Sequence, residues 1–194
     1  MSITRETVTG IRATFVLWVL TAIIYPAFML IVGQTIFPYQ ANGSFIQDTQ
    51  GKVIGSTLIG QNFTSDRYFL SRPSAVNYAE GDDYKKTGVS GASNLAPSNP
   101  DLIKRVQERT TTLSQQGIQP TADLVYSSGS GLDPHISIES AQAQIERVAQ
   151  ARGIAPQQIQ ELIQKNTEQK FLSLFGELGV NVLKLNIALD QIPR

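Results

Sequence analysis

Ala13-Thr14-Phe15-Val16-Leu17-Trp18-Val19-Leu20-Thr21-Ala22-Ile23-Ile24-Tyr25-Pro26-Ala27-Phe28-Met29-Leu30-Ile31-Val32-Gly33 decides the architecture of this chain, because apart from Thr14, Thr21, Pro26 and Gly33 it is apolar on every side. A helix over it, rising about 1.5 Å per residue, covers roughly the 30 Å of hydrocarbon in a bilayer. A buried helix of a soluble domain would keep a polar face, and this stretch has none. A cleaved signal peptide would carry an apolar core of only about 7 to 15 residues before a small-x-small site. Phe37-Pro38-Tyr39-Gln40 offers no such site, so the stretch reads as an uncleaved membrane anchor. Trp18 and Tyr25 lie too deep in it to act as interfacial anchors.

Outward from the span, no charged side chain occurs between Arg12 and Asp48. This gap explains why only 16% of the 194 residues are charged, against about 25% for an ordinary soluble domain. Arg5 and Arg12 precede the span and the next basic residue is Lys52, so the short amino-terminal end is expected in the cytoplasm. The expected organisation is residues 1–12 cytoplasmic, 13–33 transmembrane, 34–44 a link, and 45–194 one extracytoplasmic domain. Pro26 removes a backbone donor in mid-span. That fits either a helix packed on a partner, which could re-satisfy the freed carbonyl, or an isolated kinked anchor.

Periodicity in the outer part predicts a helix-rich α+β domain. The β-branched run Val53–Ile59 reads as a strand, and the Ser/Asn/Gly/Tyr-rich stretch 61–97 as a long loop. Asn99-Pro100-Asp101 opens a helix with Leu102, Val106 and Leu113 on its apolar stripe and Gly117 at its end. Asp123–Tyr126 reads as a short strand and Ser127–His135 as a turn. Ser137 caps a second helix, inward at Ala141, Ile145, Val148 and Ala149, which closes at Gly153. Pro156 opens a third helix with Ile159, Leu162 and Ile163. In the tail, Val180–Asp190 fits either period; helix is preferred, with Asn181 as its cap.

Chemistry is sparse. Cysteine is absent, which excludes disulfides and thiolate sites, and there is one histidine, His135. Lys plus Arg and Asp plus Glu both number 16, leaving no basic excess for nucleic acid. Gly129-Ser130-Gly131 lacks the glycine two residues before the serine that a nucleophile elbow needs, because Ser128 stands there. No serine is followed three residues later by lysine. Asp82 and Asp83 are adjacent instead of alternating as in a calcium loop, and with Lys85 and Lys86 they read as a solvated turn. Three clusters remain: Arg72–Ala75, Ser93–Pro100 and Ser127–His135, rich in residues that fold turns by bonding nearby backbone.

Five stretches carry a resemblance. They are Gly55–Gln61, Tyr68-Phe69-Leu70-Ser71-Arg72-Pro73-Ser74-Ala75, Ser90–Leu95, Ser128-Gly129-Ser130-Gly131-Leu132-Asp133-Pro134-His135-Ile136-Ser137 and Arg147–Arg152. With the closing segment to Asp190, they resemble the C subunit of Kdp-type potassium-transporting ATPases, in order from about Arg12 onward. Gln157–Lys170 is where that family is expected to vary. The resemblance implies an accessory chain in a bacterial inner-membrane complex, partnered by a potassium-conducting subunit and a P-type ATPase subunit. ATP and Mg would act at that catalytic subunit, with no cofactor bound here. It also implies a role in assembly and in raising the catalytic subunit's affinity for ATP. The phosphorylation signature Asp-Lys-Thr-Gly-Thr is missing, its nearest string being Lys86-Thr87-Gly88. Candidate partner contacts are Arg72, Pro73, Ser130, Asp133, His135 and, in the span, Pro26. Arg72 could bind a partner's carboxylate or serve internally. A membrane-anchored extracytoplasmic hydrolase and a generic binding module are the rival classes.

Overall fold

The computed structural model describes residues 2–81 and 89–192; the acidic-basic turn expected around Asp82–Lys86 and the string Lys86-Thr87-Gly88 lie outside the described residues. The chain divides into two units, Met1–Phe45 and Ile46–Arg194.

The first unit is dominated by a helical rod of 34 residues, Ile3–Ile36, none of them buried. It comprises α1 (Ile3–Val19), a π-helical turn (Leu20–Ile24) and α2 (Tyr25–Ile36). Pro26 explains the turn. It has no N–H and its ring crowds the preceding carbonyls, so the helix widens just ahead of it, with Tyr25 N–H donating back to Leu20 O. The hydroxyls in the rod find acceptors on its own backbone: Thr21 Oγ1 donates to Leu17 O at 2.8 Å and Thr35 Oγ1 to Ile31 O at 2.7 Å. That is what a rod without water around it requires. A short helix α3 (Pro38–Ala41) follows within the stretch read as a link.

The second unit is mixed α and β, as the periodicity predicts. It opens on a hairpin of β1 (Phe45–Gln47) and β2 (Val53–Ser56), the latter shorter than the expected Val53–Ile59 strand. Among the described residues the chain then runs without regular structure, except for a 3-10 turn at Asn77–Ala79, to α4 (Pro100–Gln115). Asn99 caps α4 by accepting from Asp101 N–H, and Gly117 beyond it takes φ 71°.

Two expectations fail next. Asp123–Tyr126 is no strand, because the short helix α5 (Ala122–Val125) occupies most of it. Leu124 and Val125 N–H both donate to Thr121 O, which turns the two apolar side chains together into the core. The second helix is broken. After β3 (His135–Ile136), α6 (Ile138–Gln142) starts at the Ser137 cap and α7 (Ile145–Arg152) follows a break at Gln144. Gln144 is fully buried there, its amide bonded to the Leu70 backbone as well as to Ser140 of α6 and Arg147 of α7. The remaining elements are α8 (Pro156–Lys165), β4 (Thr167–Glu168), β5 (Gly179–Asn181) and α9 (Val182–Asp190), capped by Asn181 as expected.

β3, β5 and β4 form an antiparallel sheet with β5 central. One core holds the unit together, with Leu113, Leu124, Ile136, Val148, Ile163 and Leu185 all buried in it. Phe69 is completely buried there although it lies in no helix or strand. Its N–H donates to Asn186 Oδ1 at 2.8 Å and its carbonyl accepts from Asn186 Nδ2 at 3.0 Å. Leu70 N–H donates to Gln144 Oε1 at 2.7 Å. Two buried side-chain amides thus play the part of a neighbouring strand, which lets an irregular segment enter a dry core with its backbone satisfied.

Candidate functional site

The serine- and glycine-rich segments converge. Ser74 Oγ donates to Gly131 O at 2.7 Å, Ser128 N–H to Pro73 O at 3.2 Å and Gly91 N–H to Ser130 O at 2.7 Å. Gly60 N–H reaches Leu132 O at 2.9 Å. The expected local bonds are there, as from Val76 N–H to Ser74 Oγ and from Gly131 N–H to Ser128 Oγ, and to them the bonds above add partners tens of residues apart: the loops also hold one another. Gly131 stands at the centre with φ 69°, and a Cβ there would lie 2.5 Å from Val76 Cγ2 and 2.6 Å from Gly91 O. Only glycine meets both conditions.

Arg147 and Arg152 of α7 pin the same assembly from beneath. Arg147 Nη2 donates to Tyr68 O at 2.7 Å, and Arg152 Nε to Arg67 O at 2.6 Å, with its guanidinium 4.9 Å from the centre of the Tyr68 ring. The Tyr68–Ala75 and Arg147–Arg152 motifs are therefore two sides of one joint.

A row of charges runs across the surface this joint supports. Arg72 Nη1 meets Asp133 Oδ2 at 2.9 Å, His135 Nδ1 lies 3.7 Å from Asp133 Oδ1, His135 Nε2 meets Glu168 Oε2 at 3.0 Å, and Lys184 Nζ meets Glu168 Oε1 at 2.7 Å. The 3.7 Å contact is too long for a hydrogen bond and is an ion pair when the imidazole is protonated. The sheet sets this row: His135 sits opposite Asn181 and Glu168 opposite Gly179 on the two sides of β5. A Cβ on Gly179 would lie 3.3 Å from His135 Cβ and 3.5 Å from its ring. Glycine leaves the space the imidazole crosses to reach Glu168.

The charges tune one another. Asp133 foremost, with Glu168 next, raises the His135 pKa against the opposing effect of burial. Burial pushes the Asp133 carboxyl up, but His135, its backbone N–H and Arg72 outweigh it, and the pKa falls. Glu168 is lowered likewise, with Lys184 and His135 overcoming burial. His135 is thus held toward imidazolium between two carboxylates, an electrostatic clasp from β3 to β4.

Arg72, Asp133, His135 and Glu168 line a cleft of about 420 Å³, whose other wall is apolar and includes Phe171, Phe175 and Leu178. That wall belongs to a tight hairpin in which Phe171 and Phe175 exchange backbone bonds of 2.8 and 2.9 Å. Leu172 and Ser173 at its tip take φ 52° and 61°. Phe171 is 71% exposed, Leu174 77% and Phe175 63%.

Of the candidate contact residues, Arg72, Asp133 and His135 come together. Pro73 contributes its carbonyl to the loop joint, and Ser130 lies beside it, exposed, with Oγ accepting from Leu132 N–H at 3.1 Å. That hydroxyl is engaged in its own turn while His135 faces carboxylates, which is not the geometry of a serine nucleophile and its base. Pro26 lies in the other unit. Sequence reasoning missed Glu168 and Lys184, whose partners are distant in the chain, and Glu168 falls in the stretch set aside as variable.

Residues 7–191 match the family model of the K+-transporting ATPase c chain, KdpC. A potassium-transporting ATPase KdpC subunit of Synechocystis sp. is 63% identical over 187 residues, covering 96% of this chain and 98% of the relative. One of two such subunits of Nostoc sp. is 58% identical over 99% of this chain and 98% of its own length. The subunit of Gloeobacter violaceus is 47% identical over the full length of both.

Proposed function

The chain belongs to the KdpC family, and from that membership we propose that it is the non-catalytic accessory subunit of an ATP-driven potassium pump, anchored by the 3–36 rod. Its partners are the potassium-conducting and ATP-hydrolysing subunits. The end-to-end match carries this reading. Co-purification tests it: the tagged chain, extracted in mild detergent, brings down both larger subunits and shows no ATP turnover alone. Recovery of the chain by itself from potassium-starved cells would overturn it.

In this reading the amino terminus is cytoplasmic and the second unit periplasmic, an orientation that Arg5 and Arg12 ahead of the rod support. An impermeant thiol reagent applied to spheroplasts is then expected to label a cysteine placed at Ser130 and spare one at Ser2. In this orientation roughly 30 Å of hydrocarbon separates the second unit from a cytoplasmic ATP site. Any effect on ATP affinity acts through a partner, with a coupling of about 1 to 3 kcal/mol. The surface that docks on the conducting subunit is the Arg72–Asp133–His135 row with the apolar 171–178 hairpin beside it. Exposed aromatic and aliphatic side chains on that hairpin, rimmed by charge, support the assignment.

A further inference from the structure

We propose that a second cleft, formed where Arg109 of α4 faces the 62–64 and 71–78 segments, binds a carboxylate. This cleft, about 340 Å³, is lined by two arginines, Arg72 and Arg109, and, among the described residues, by no aspartate or glutamate. Its position differs from that of the Asp133–His135–Glu168 cleft, and Arg72 lines both.

Arg109 is the argument. Three of this unit's half-buried arginines hold acids: Arg72 has Asp133 at 2.9 Å, Arg147 has Asp66 at 3.4 Å and Arg152 has Asp190 at 2.8 Å; Arg105, half-buried on α4, does not line this cleft. Arg109 is half-buried too, but its hydrogen bond is from Nε to the Leu124 carbonyl at 2.9 Å, and among the described residues no carboxylate is paired with it. Burial lowers its pKa, opposed by the Tyr78 phenol on the same cleft and not by a carboxylate. A guanidinium stays charged regardless, so the fold carries a partly desolvated cation with donors to spare. The buried Nε of Arg72, on the same cleft, also lacks a partner.

Several neutral groups in the lining are already engaged. Tyr78 Oη donates to Arg72 O at 2.7 Å, Ser71 Oγ to Gln61 O at 2.7 Å and Asn62 Nδ2 to Asn77 Oδ1 at 3.3 Å. Beside Thr64 and Gln116, what the cleft offers an anion is chiefly guanidinium edges. Their planar, forked donors fit a carboxylate in two parallel bonds. The ligand comes from one of two sources, an acidic side chain of a partner subunit or a small organic acid of the surrounding medium. The inference does not depend on the accessory-subunit reading, because it concerns the chain alone.

The test uses the full chain in detergent micelles with ¹⁵N-labelled arginine, titrated with sodium succinate against sodium chloride of equal ionic strength. The Arg109 and Arg72 Nε–H resonances are expected to shift saturably with succinate and not with chloride. Arg109→Gln is expected to weaken binding, read at Arg72, by at least tenfold, while Arg109→Lys retains part of it. Gln116→Glu, which sets a carboxylate in the lining, is expected to abolish binding by repulsion and by occupying Arg109. It decides the matter if Arg109→Gln fails to fold. No saturable shift, or affinity unchanged in a folded Arg109→Gln or Gln116→Glu chain, would overturn the proposal. Repeating the titration on the assembled complex separates the sources. Loss of succinate binding there identifies a partner's acidic side chain, and retention identifies a free organic acid.

Discussion

Two halves of the second unit are built on different physics. The helical half, α4 with α7, α8 and α9, is held by area, with Leu113, Val148, Ile163 and Leu185 burying apolar surface in elements whose backbones satisfy themselves. The loop half, segments 59–80, 90–91 and 127–135, has almost no repetitive structure. It is held by serine hydroxyls, buried amides and glycines that let backbones touch. The first tolerates reshaping that conserves volume. The second tolerates little, since its donors and acceptors are matched between segments far apart in the chain.

Three substitutions probe that contrast. Leu185→Ala in the helical half is expected to have the largest effect, about 2–5 kcal/mol lost to transfer and cavity, while Leu185→Met costs under about 1.5 kcal/mol. Urea unfolding of both variants checks the pair. Gly131→Ala in the loop half adds a single methyl and is expected to cost about 1–3 kcal/mol, from a left-handed backbone and the close approach of Val76 and Gly91. A cost near zero would mean that the loops adjust freely and that the contrast is false.

The smallest effect expected is electrostatic. The His135 pKa is raised by folding, so its contribution is complete below the ordinary histidine pKa of about 6.5 and disappears as pH rises through the folded value. Asp133 and Glu168 are lowered, so theirs is present above their ordinary range near 4 and disappears as pH falls through the folded values. Stability of the parent is expected to peak between about pH 5 and 6.5. In His135→Gln the decline on the alkaline side flattens, as thermal unfolding across pH would record.

The same division decides what could be read from sequence. The rod, the Asn99, Ser137 and Asn181 caps, and the glycine endings at Gly117 and Gly153 were legible because a few adjacent residues encode them. The Asp123–Tyr126 stretch was misread because the four residues Asp-Leu-Val-Tyr are too few for any period to distinguish a strand from one helical turn. The break at Gln144 had no local sign, since its cause is Leu70, a residue far off in the chain. The loops were recognisable as loops, but the pairing of Ser74 with Gly131 was not. Arg72, Asp133 and His135 were found through their motifs, whereas Glu168, Lys184 and Arg109 carry no motif and declare themselves only once the sheet and α4 are in place.

The π-helical turn at Leu20–Ile24 sets how the rod can be read from outside. Such a turn accommodates one residue more than an α-helix would, which offsets the sequence on either side by about 100° of rotation. A neighbouring helix following one face upward from Phe15 and Trp18 therefore does not continue onto the residues that plain α-helical counting would give beyond Pro26. Removing one residue between Leu20 and Ile24 would bring the two halves into a single phase, leaving the rod just as greasy and giving any helix packed along it a different set of side chains to meet.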